Sequence, residues 1–346
     1  MIWYKEKQQG ADDIMVSTRI RLARNLAKYP FPNAMTTEHA KKAAQEISAS
    51  ILEGNSTLAQ EFRQLDFSSM TEVDKQTLYE QHLASPEMLD RKAGSLLLSK
   101  DETMSIMLME EDHIRLQIIL GGFQLDKAWE LADKVDDVIE EHVEYAFDDE
   151  FGYLTSCPTN TGTGLRASVM MHLPALTMTD SMARIINSAG QLGIAVRGMY
   201  GEGSKAYGNL YQISNQITLG ATERDIIEKL KNIANQIADQ ERQVRKSLAE
   251  HSGVKLADRL WRSYGTLKYA RSVSSQEAKA LISDVILGKN MQIIDSIPES
   301  IWELMVTTEP AFITQRAGKA VTPEQRDQLR ADAIRNCFTA KECEQL

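Results

Sequence analysis

The chain has 346 residues, 42% of them hydrophobic and 25% charged, enough for one large domain or two smaller ones around a sizeable core. Its net charge of −10 argues against a general nucleic-acid binder, and no signal peptide or run of ~18 apolar residues indicates secretion or membrane spanning. The three cysteines (Cys157, Cys337, Cys343) and six histidines show no disulfide framework and no zinc spacing, so no metal site is expected and a reducing cytoplasm is the expected compartment.

Short alternating or apolar runs punctuated by glycine and proline predict strands around residues 13–22, 94–120, 152–174, 192–201 and 209–220. Periodic stretches between them predict helices over 37–52, 125–147 and 179–192. This mixture indicates an α+β fold, a largely antiparallel β-sheet flanked by helices. From Thr222 onward the pattern is almost wholly helical. Ile226, Ile227, Leu230, Ile233, Ala234 and Ile237 recur at the spacing of one helix face, with Thr222 as N-cap. Residues 251–265 read as a break, followed by helices over 274–288, 291–310 and 322–336. The expected division is therefore a first domain over 1–252 and a helical C-terminal domain over 253–346.

Five arginines stand out. Arg19 and Arg21 in "STRIR" are two apart and so share one face of a strand. Arg115, Arg166 and Arg197 also sit in or beside apolar strand patterns, where a guanidinium is costly unless it has a partner. A bound polyphosphate would serve all five through bidentate hydrogen bonds, while unrelated surface ion pairs are an equally available reading of the spacing alone. Glu110, Glu111 and Asp112 in "MEEDHIRL" interrupt an apolar strand, and three adjacent carboxylates must be solvated, paired with cations or catalytic. Taken alone, an acidic turn explains them, and a buried small hydrophobe explains Cys157 in "SCPTNTGTG". A thiolate near positive charge is the functional alternative for Cys157. His82 by itself reads as an ordinary histidine at a helix end.

The loop "RGMYGEGSKAYG" is not a P-loop, because Ser204 and Lys205 follow Gly203 in the wrong order for lysine to fold over phosphates. It is not a dinucleotide fingerprint either, because Ala206 replaces the third glycine.

In order along residues 15–220, "STRIR", "EEDHIRL", "CPTNTGTGLRAS" and "RGMYGEG…YQISN" together resemble the phosphagen (guanidino) kinase family, most of all its bacterial protein-arginine kinase branch. The resemblance implies ATP binding by Ser17, Thr18, Arg19, Ile20 and Arg21, by His82 and Arg115, by Arg166, Ala167, Ser168, Val169 and Met170, and by Arg197, Gly198, Met199, Tyr200 and Gly201. It implies that Glu111 is the catalytic carboxylate beside Glu110, that Glu202 is a second carboxylate on a substrate-closing loop, and that Cys157 is a reactive cysteine near the substrate guanidinium. "RDQLRA" resembles the phosphoarginine-binding motif of that branch, which points to Arg326, Asp327, Arg330 and Ala331. Arg326 and Arg330, four apart on a helix, share a face and could grip one phosphate.

Two departures from the metabolite kinases bear on the substrate. Ser17 lies almost at the N-terminus, where those enzymes carry a helical domain that helps enclose a small substrate, so an open site is expected. Met170 stands where they usually have histidine, which affects adenine contact rather than phosphate binding. The expected function is thus a protein-arginine kinase using ATP, with Mg²⁺ held mainly through the nucleotide phosphates. A kinase for a free guanidino metabolite and a non-catalytic phosphoarginine-binding adaptor are the alternatives. The family further implies a heat-shock repressor, a Clp-type protease and a small zinc-binding activator as partners, with stress regulation, allosteric feedback and a homodimer. The tail "NCFTAKECEQL" yields no reading.

Overall fold

The computed structural model describes residues 2–5, 13–53, 57–91, 93–199, 206–299 and 301–339. Tyr200, Gly201 and Glu202 of the glycine-rich loop, Cys343 and most of the tail lie outside the described residues. The first half of the chain runs β1 (Met15–Arg24), α1 (Thr37–Leu52), β2 (Phe62–Asp66), α2 (Glu72–Glu80), α3 (Pro86–Leu89), β3 (Ser95–Ser99), β4 (Met104–Leu108) and β5 (Ile114–Gly121). It continues through α4 (Leu125–Glu140), the hairpin β6 (Phe147–Asp148) and β7 (Gly152–Tyr153), β8 (Leu165–His172), α5 (Pro174–Met178), α6 (Met182–Gln191), β9 (Ile194–Gly198) and β10 (Leu210–Asn215). The rest is helical: α7 (Glu223–Tyr269), α8 (Ser275–Asn290), α9 (Ile301–Thr307), α10 (Pro310–Ala317) and α11 (Pro323–Thr339).

Eight strands form one antiparallel sheet in the order β2-β3-β4-β5-β1-β8-β10-β9. One face is apolar. Ile20, Leu22, Leu116, Ile118, Leu165, Ala167, Val169 and Ile213 lie on it with at most 0% exposure. The apolar stripe of α4 (Leu125, Ala128, Ala132, Val135, Ile139) and that of the first half of α7 join the same core. Burying each such aliphatic side chain contributes about 1.5–3 kcal/mol, which holds the helices to this face. The capping box of Thr222 and Asp225 starts α7 as its sequence predicts.

The structure departs from several of the predicted elements. α4 stops at Glu140, because Tyr145 and Ala146 pair with Leu26 and Asn25 beside β1 instead of continuing the helix. α7 runs through the expected break, and non-helical torsions at Ser252 (φ −139, ψ 20) mark the spot with a kink. β2 and most of α2 lie where the sequence predicts no element beyond a helix end at His82, and the helix expected over 291–310 begins at Ile301.

A second core forms where the C-terminal helices meet the sheet. Ile282, Val285, Leu304 and Met305 pack with Val16, Ile119, Met170, Met199 and Leu210. Beside it, the Glu80 carboxylate at the end of α2 accepts the N–H groups of Ala311 and Phe312, each at 2.9 Å, at the start of α10. Burial, outweighing those two donors, pushes the Glu80 carboxyl up from 4.5 to about 7. The folded state therefore holds this proton more tightly than the unfolded chain. Its contribution to stability is full below pH 4.5 and is lost as pH rises through about 7. Thermal melts across this range should show wild type losing stability relative to Glu80→Gln as pH rises. A difference between the two that does not change with pH would contradict this assignment.

Candidate active site

The register of the sheet assembles the arginines. Arg21 stands directly opposite Arg166 on β8, and Arg19 stands opposite Ser168. Arg115 pairs with Ala23, two residues along the same face of β1 from Arg21, and Arg197 on β9 pairs with Gln212 on β10. Gln212 in turn faces Met170. Because opposed residues in an antiparallel pair project to the same side, all five arginines share the face opposite the apolar core. Arg19 donates to Gln212 Oε1 at 2.7 Å, and neither Arg19 nor Arg21 meets a carboxylate among the described residues. Arg21 Nε is buried without a hydrogen-bond partner among them. Burial first, then Arg115 and Arg166, lowers the Arg19 pKa to about 10. Burial and the neighbouring Arg19, Arg115 and Arg166 hold Arg21 well below the usual guanidinium range. Fixed positive charge of this kind, backed by strands and short of counter-charge, fits a polyphosphate.

The carboxylates sit at one end of this face, where β4 turns into β5. Arg115 donates to Glu110 Oε2 at 3.2 Å and to Glu111 Oε2 at 3.1 Å. Glu110, with its side chain 1% exposed, also accepts Ser85 Oγ at 2.5 Å and the Glu111 N–H at 2.7 Å. Burial would raise its pKa, but Arg115 and these donors outweigh it and keep the carboxyl below its ordinary range. Glu111 differs. Its side chain is 35% exposed, and burial together with the neighbouring Asp112 and Glu110 raises its carboxyl despite Arg115. The buried member is thus a fixed anion, and the accessible one is better suited to exchange a proton.

Cys157 lies on the turn after β7, half-buried, with Sγ 3.1 Å from Thr159 Oγ1. His82, in the left-handed region (φ 63), lines a small cleft with Ser17, Arg19, Ser168, Met170 and Gln212. Burial first, then Arg19 and Lys279, holds its imidazole well below the usual range, so it is neutral. Its carbonyl accepts Gln117 Nε2 at 2.7 Å. Gln117 projects to the arginine face opposite Arg21 and props this wall of the cleft.

Other expected residues are placed elsewhere. Ile20, Ala167 and Val169 point into the apolar core, because their parity along the strand is opposite to that of the arginines. The Thr18 hydroxyl ties β1 to the start of α4 by donating to the Gly122 carbonyl and accepting the Gln124 N–H. Met199 is packed in the second core, and Gly198 ends β9 opposite Tyr211. Arg326 and Arg330, expected to grip one phosphate together, have different surroundings. Arg330 is 1% exposed, and it donates from Nε to the Thr308 carbonyl at 2.7 Å and from one terminal nitrogen to the Val273 carbonyl at 2.9 Å and Asp327 Oδ1 at 2.5 Å. Ala331 is buried beside it, and Arg326, one turn earlier on α11, is half-buried. Gln212 was missed by the motif reading, although its alternation with the core residues Tyr211 and Ile213 places it on the arginine face.

The fold is that of the phosphagen kinases. The chain superposes on lombricine kinase with a TM-score of 0.61 and 24% identity over 70% of each chain. It also superposes on the duplicated taurocyamine kinase of Schistosoma mansoni with a TM-score of 0.61 and 24% identity, over 74% of this chain and 39% of that one. The family model described as the ATP:guanido phosphotransferase C-terminal catalytic domain matches residues 43–244, and the protein-arginine kinase McsB C-terminal domain matches residues 253–345. A protein-arginine kinase of Brevibacillus brevis is 48% identical over 95% of this chain and 93% of its own length. One of Bacillus subtilis is 47% identical over 96% and 92%. The chain belongs to the ATP:guanido phosphotransferase family, in its protein-arginine kinase branch.

A charge-assisted hydrogen bond is worth about 1.5–3 kcal/mol, or roughly 10–100-fold in affinity. Arg21→Met should therefore weaken ATP binding in calorimetric titration by about that factor, whereas a change of less than about twofold would remove Arg21 from the phosphate site.

Proposed function

We propose that this chain is a protein-arginine kinase that transfers the γ-phosphoryl group of ATP to arginine side chains of proteins. The observation that carries the reading is the meeting of the arginine face with the Glu110–Glu111 pair at its end. A polyphosphate on that face would present its terminal phosphoryl group toward the accessible carboxylate of Glu111, a partner for a guanidinium, with Glu110 anchored behind it. The high identity to protein-arginine kinases favours protein arginine over a free guanidino metabolite.

A guanidinium is a poor nucleophile because it is protonated at any cellular pH. Glu111 orients it through fork-shaped hydrogen bonds and accepts a proton as the N–P bond forms. Glu110 holds Arg115 and the Glu111 backbone in place. Arg19, Arg21, Arg115, Arg166 and Arg197 hold the phosphates in line and offset charge developing on the equatorial oxygens. Mg²⁺, carried on the phosphates, would add to that neutralisation. Neutral His82 and Gln212 line the cleft beside Arg19 and are assigned to the nucleoside. Glu202, the second substrate carboxylate in this reading, and the rest of its loop stay a reading from the family motif.

We assign residues 1–252 to the catalytic domain and 253–346 to the helical one. With Arg330 committed to backbone carbonyls, contact with a phosphoarginine would fall to Arg326 and the outer oxygen of Asp327. The cytoplasm, a homodimer, stress regulation and the repressor, protease and activator partners are proposed on family grounds alone.

Phosphoryl transfer from Mg·ATP, followed by ³¹P NMR with free arginine and an unfolded arginine-rich protein offered in parallel, tests the function. An acid-labile N–P signal is expected on the protein, and Glu111→Gln should lower the rate about 10²-fold or more. A signal on free arginine alone would make this a metabolite kinase, and no signal on either would favour the adaptor. Because burial and neighbouring carboxylates raise Glu111, the acid limb of kcat/KM should lie above the ordinary glutamate value of 4.5 and disappear in Glu111→Gln.

A further inference from the structure

Asn25, the residue after β1, is 1% exposed and engages both amide donors and its side-chain oxygen in hydrogen bonds. Its Nδ2 donates to Asp112 Oδ1 at 2.7 Å and to the Leu154 carbonyl at 3.1 Å, and its Oδ1 accepts the His113 N–H at 2.9 Å. A flipped amide would set an oxygen against two acceptors, so the network fixes the orientation. Asp112 Oδ1 also accepts the Ser156 N–H at 2.7 Å, and the Asn25 carbonyl accepts the Ala146 N–H at 2.7 Å. Glu111 directly precedes Asp112, and Cys157 directly follows Ser156. One buried amide and one buried carboxylate therefore join the two segments that carry the proposed base and the thiol.

We propose that Asn25, acting through Asp112, is a positioning residue that sets Glu111 relative to Cys157 for the guanidinium substrate. The proposal rests on the protein-arginine kinase reading for its substrate, and on hydrogen-bond geometry alone for the clamp. The nucleotide contacts proposed above lie on the strand face around Arg19 and Arg21, and Asn25 is not among them. Loss of the clamp should thus affect the guanidinium half of the reaction and leave the ATP half alone. A misplacement near 1 Å can cost 10²-fold in rate, so the effect is measurable.

Asn25→Asp keeps the side-chain shape and the acceptor for His113, removes both donors and sets a carboxylate against Asp112. It should lower kcat/KM for the protein substrate about 10-fold or more, change ATP affinity by less than about twofold, and shift the pH profile of Cys157 alkylation, read by peptide mass spectrometry. Asp112→Asn combined with Asn25→Asp reverses donor and acceptor and should regain part of the loss. If Asn25→Asp lowers the melting temperature yet leaves kcat/KM per folded molecule and the alkylation profile unchanged, the residue is only structural and the proposal fails. Should that variant not fold, Asn25→Ser gives the same readouts without an added charge. If wild type phosphorylates no protein, the functional reading fails, while the alkylation profile still decides the clamp.

Discussion

The constraint on which this structure depends is the placing of like charges opposite each other in an antiparallel sheet. Arg21 faces Arg166 across β1 and β8, with Arg19 and Arg115 close enough to depress its pKa. Each like-charge cross-strand pair costs on the order of 0.2–1 kcal/mol, and burying guanidinium groups adds to that. The sheet tolerates this because its opposite face is largely apolar and covered by α4 and α7, with the one buried arginine there, Arg24, paired to Asp136. The same alternation that commits Ile20, Leu22, Ala167 and Val169 to the core commits Arg19, Arg21 and Arg166 to the other side. A one-residue slip of register would exchange the two sets, so the core that stabilises the sheet also fixes the charge pattern.

The carboxylate end shows how one short segment supplies two different groups. Glu110 and Glu111 are adjacent in sequence and share Arg115, yet their environments move them in opposite directions. Glu110 is enclosed by Ser85, the Glu111 N–H and Arg115, and stays ionised. Glu111 reaches partly into solvent and has the Arg115 contact alone to offset burial and two neighbouring anions. Separation of two titratable groups by environment is the physical basis for assigning the anchor to one and the proton acceptor to the other.

Much of this was legible in the sequence, for reasons that differ by residue. The i, i+2 spacing of Arg19 and Arg21 already places them on one strand face, and the helical pattern after Thr222 identifies α7. The meeting of Arg166 and Arg197 with them depends on strand order, which no local pattern encodes. Ile20, Ala167 and Val169 were drawn into the predicted site because a motif is contiguous while a strand face takes alternate residues. The surroundings of Arg330 were illegible for a related reason. Helical spacing puts it on the same face as Arg326, but the carbonyls of Thr308 and Val273, distant in the chain, capture its guanidinium. Asn25 carried no motif signal at all, since its partners lie 87 and 129 residues away.

The helical half is built into the wall of the site. The last turn of α2 and the two residues after it serve three purposes in succession. Glu80 caps α10, Gln81 accepts the Trp3 indole N–H at 3.1 Å and reaches Tyr4, and His82 turns through a left-handed conformation into the cleft. Lys279 on α8 is one of the charges that keep His82 neutral, and it forms a buried ion pair with Glu309 immediately before α10. Met170, at the mouth of the cleft, packs in the core shared with α8 and α9. Removing the C-terminal helices would therefore strip Glu80 of its partners and expose one side of the cleft. The boundary near Ser252 falls at a kink inside α7, and α8 and α9 beyond it support the cleft beside Arg19 through their packing on Met170.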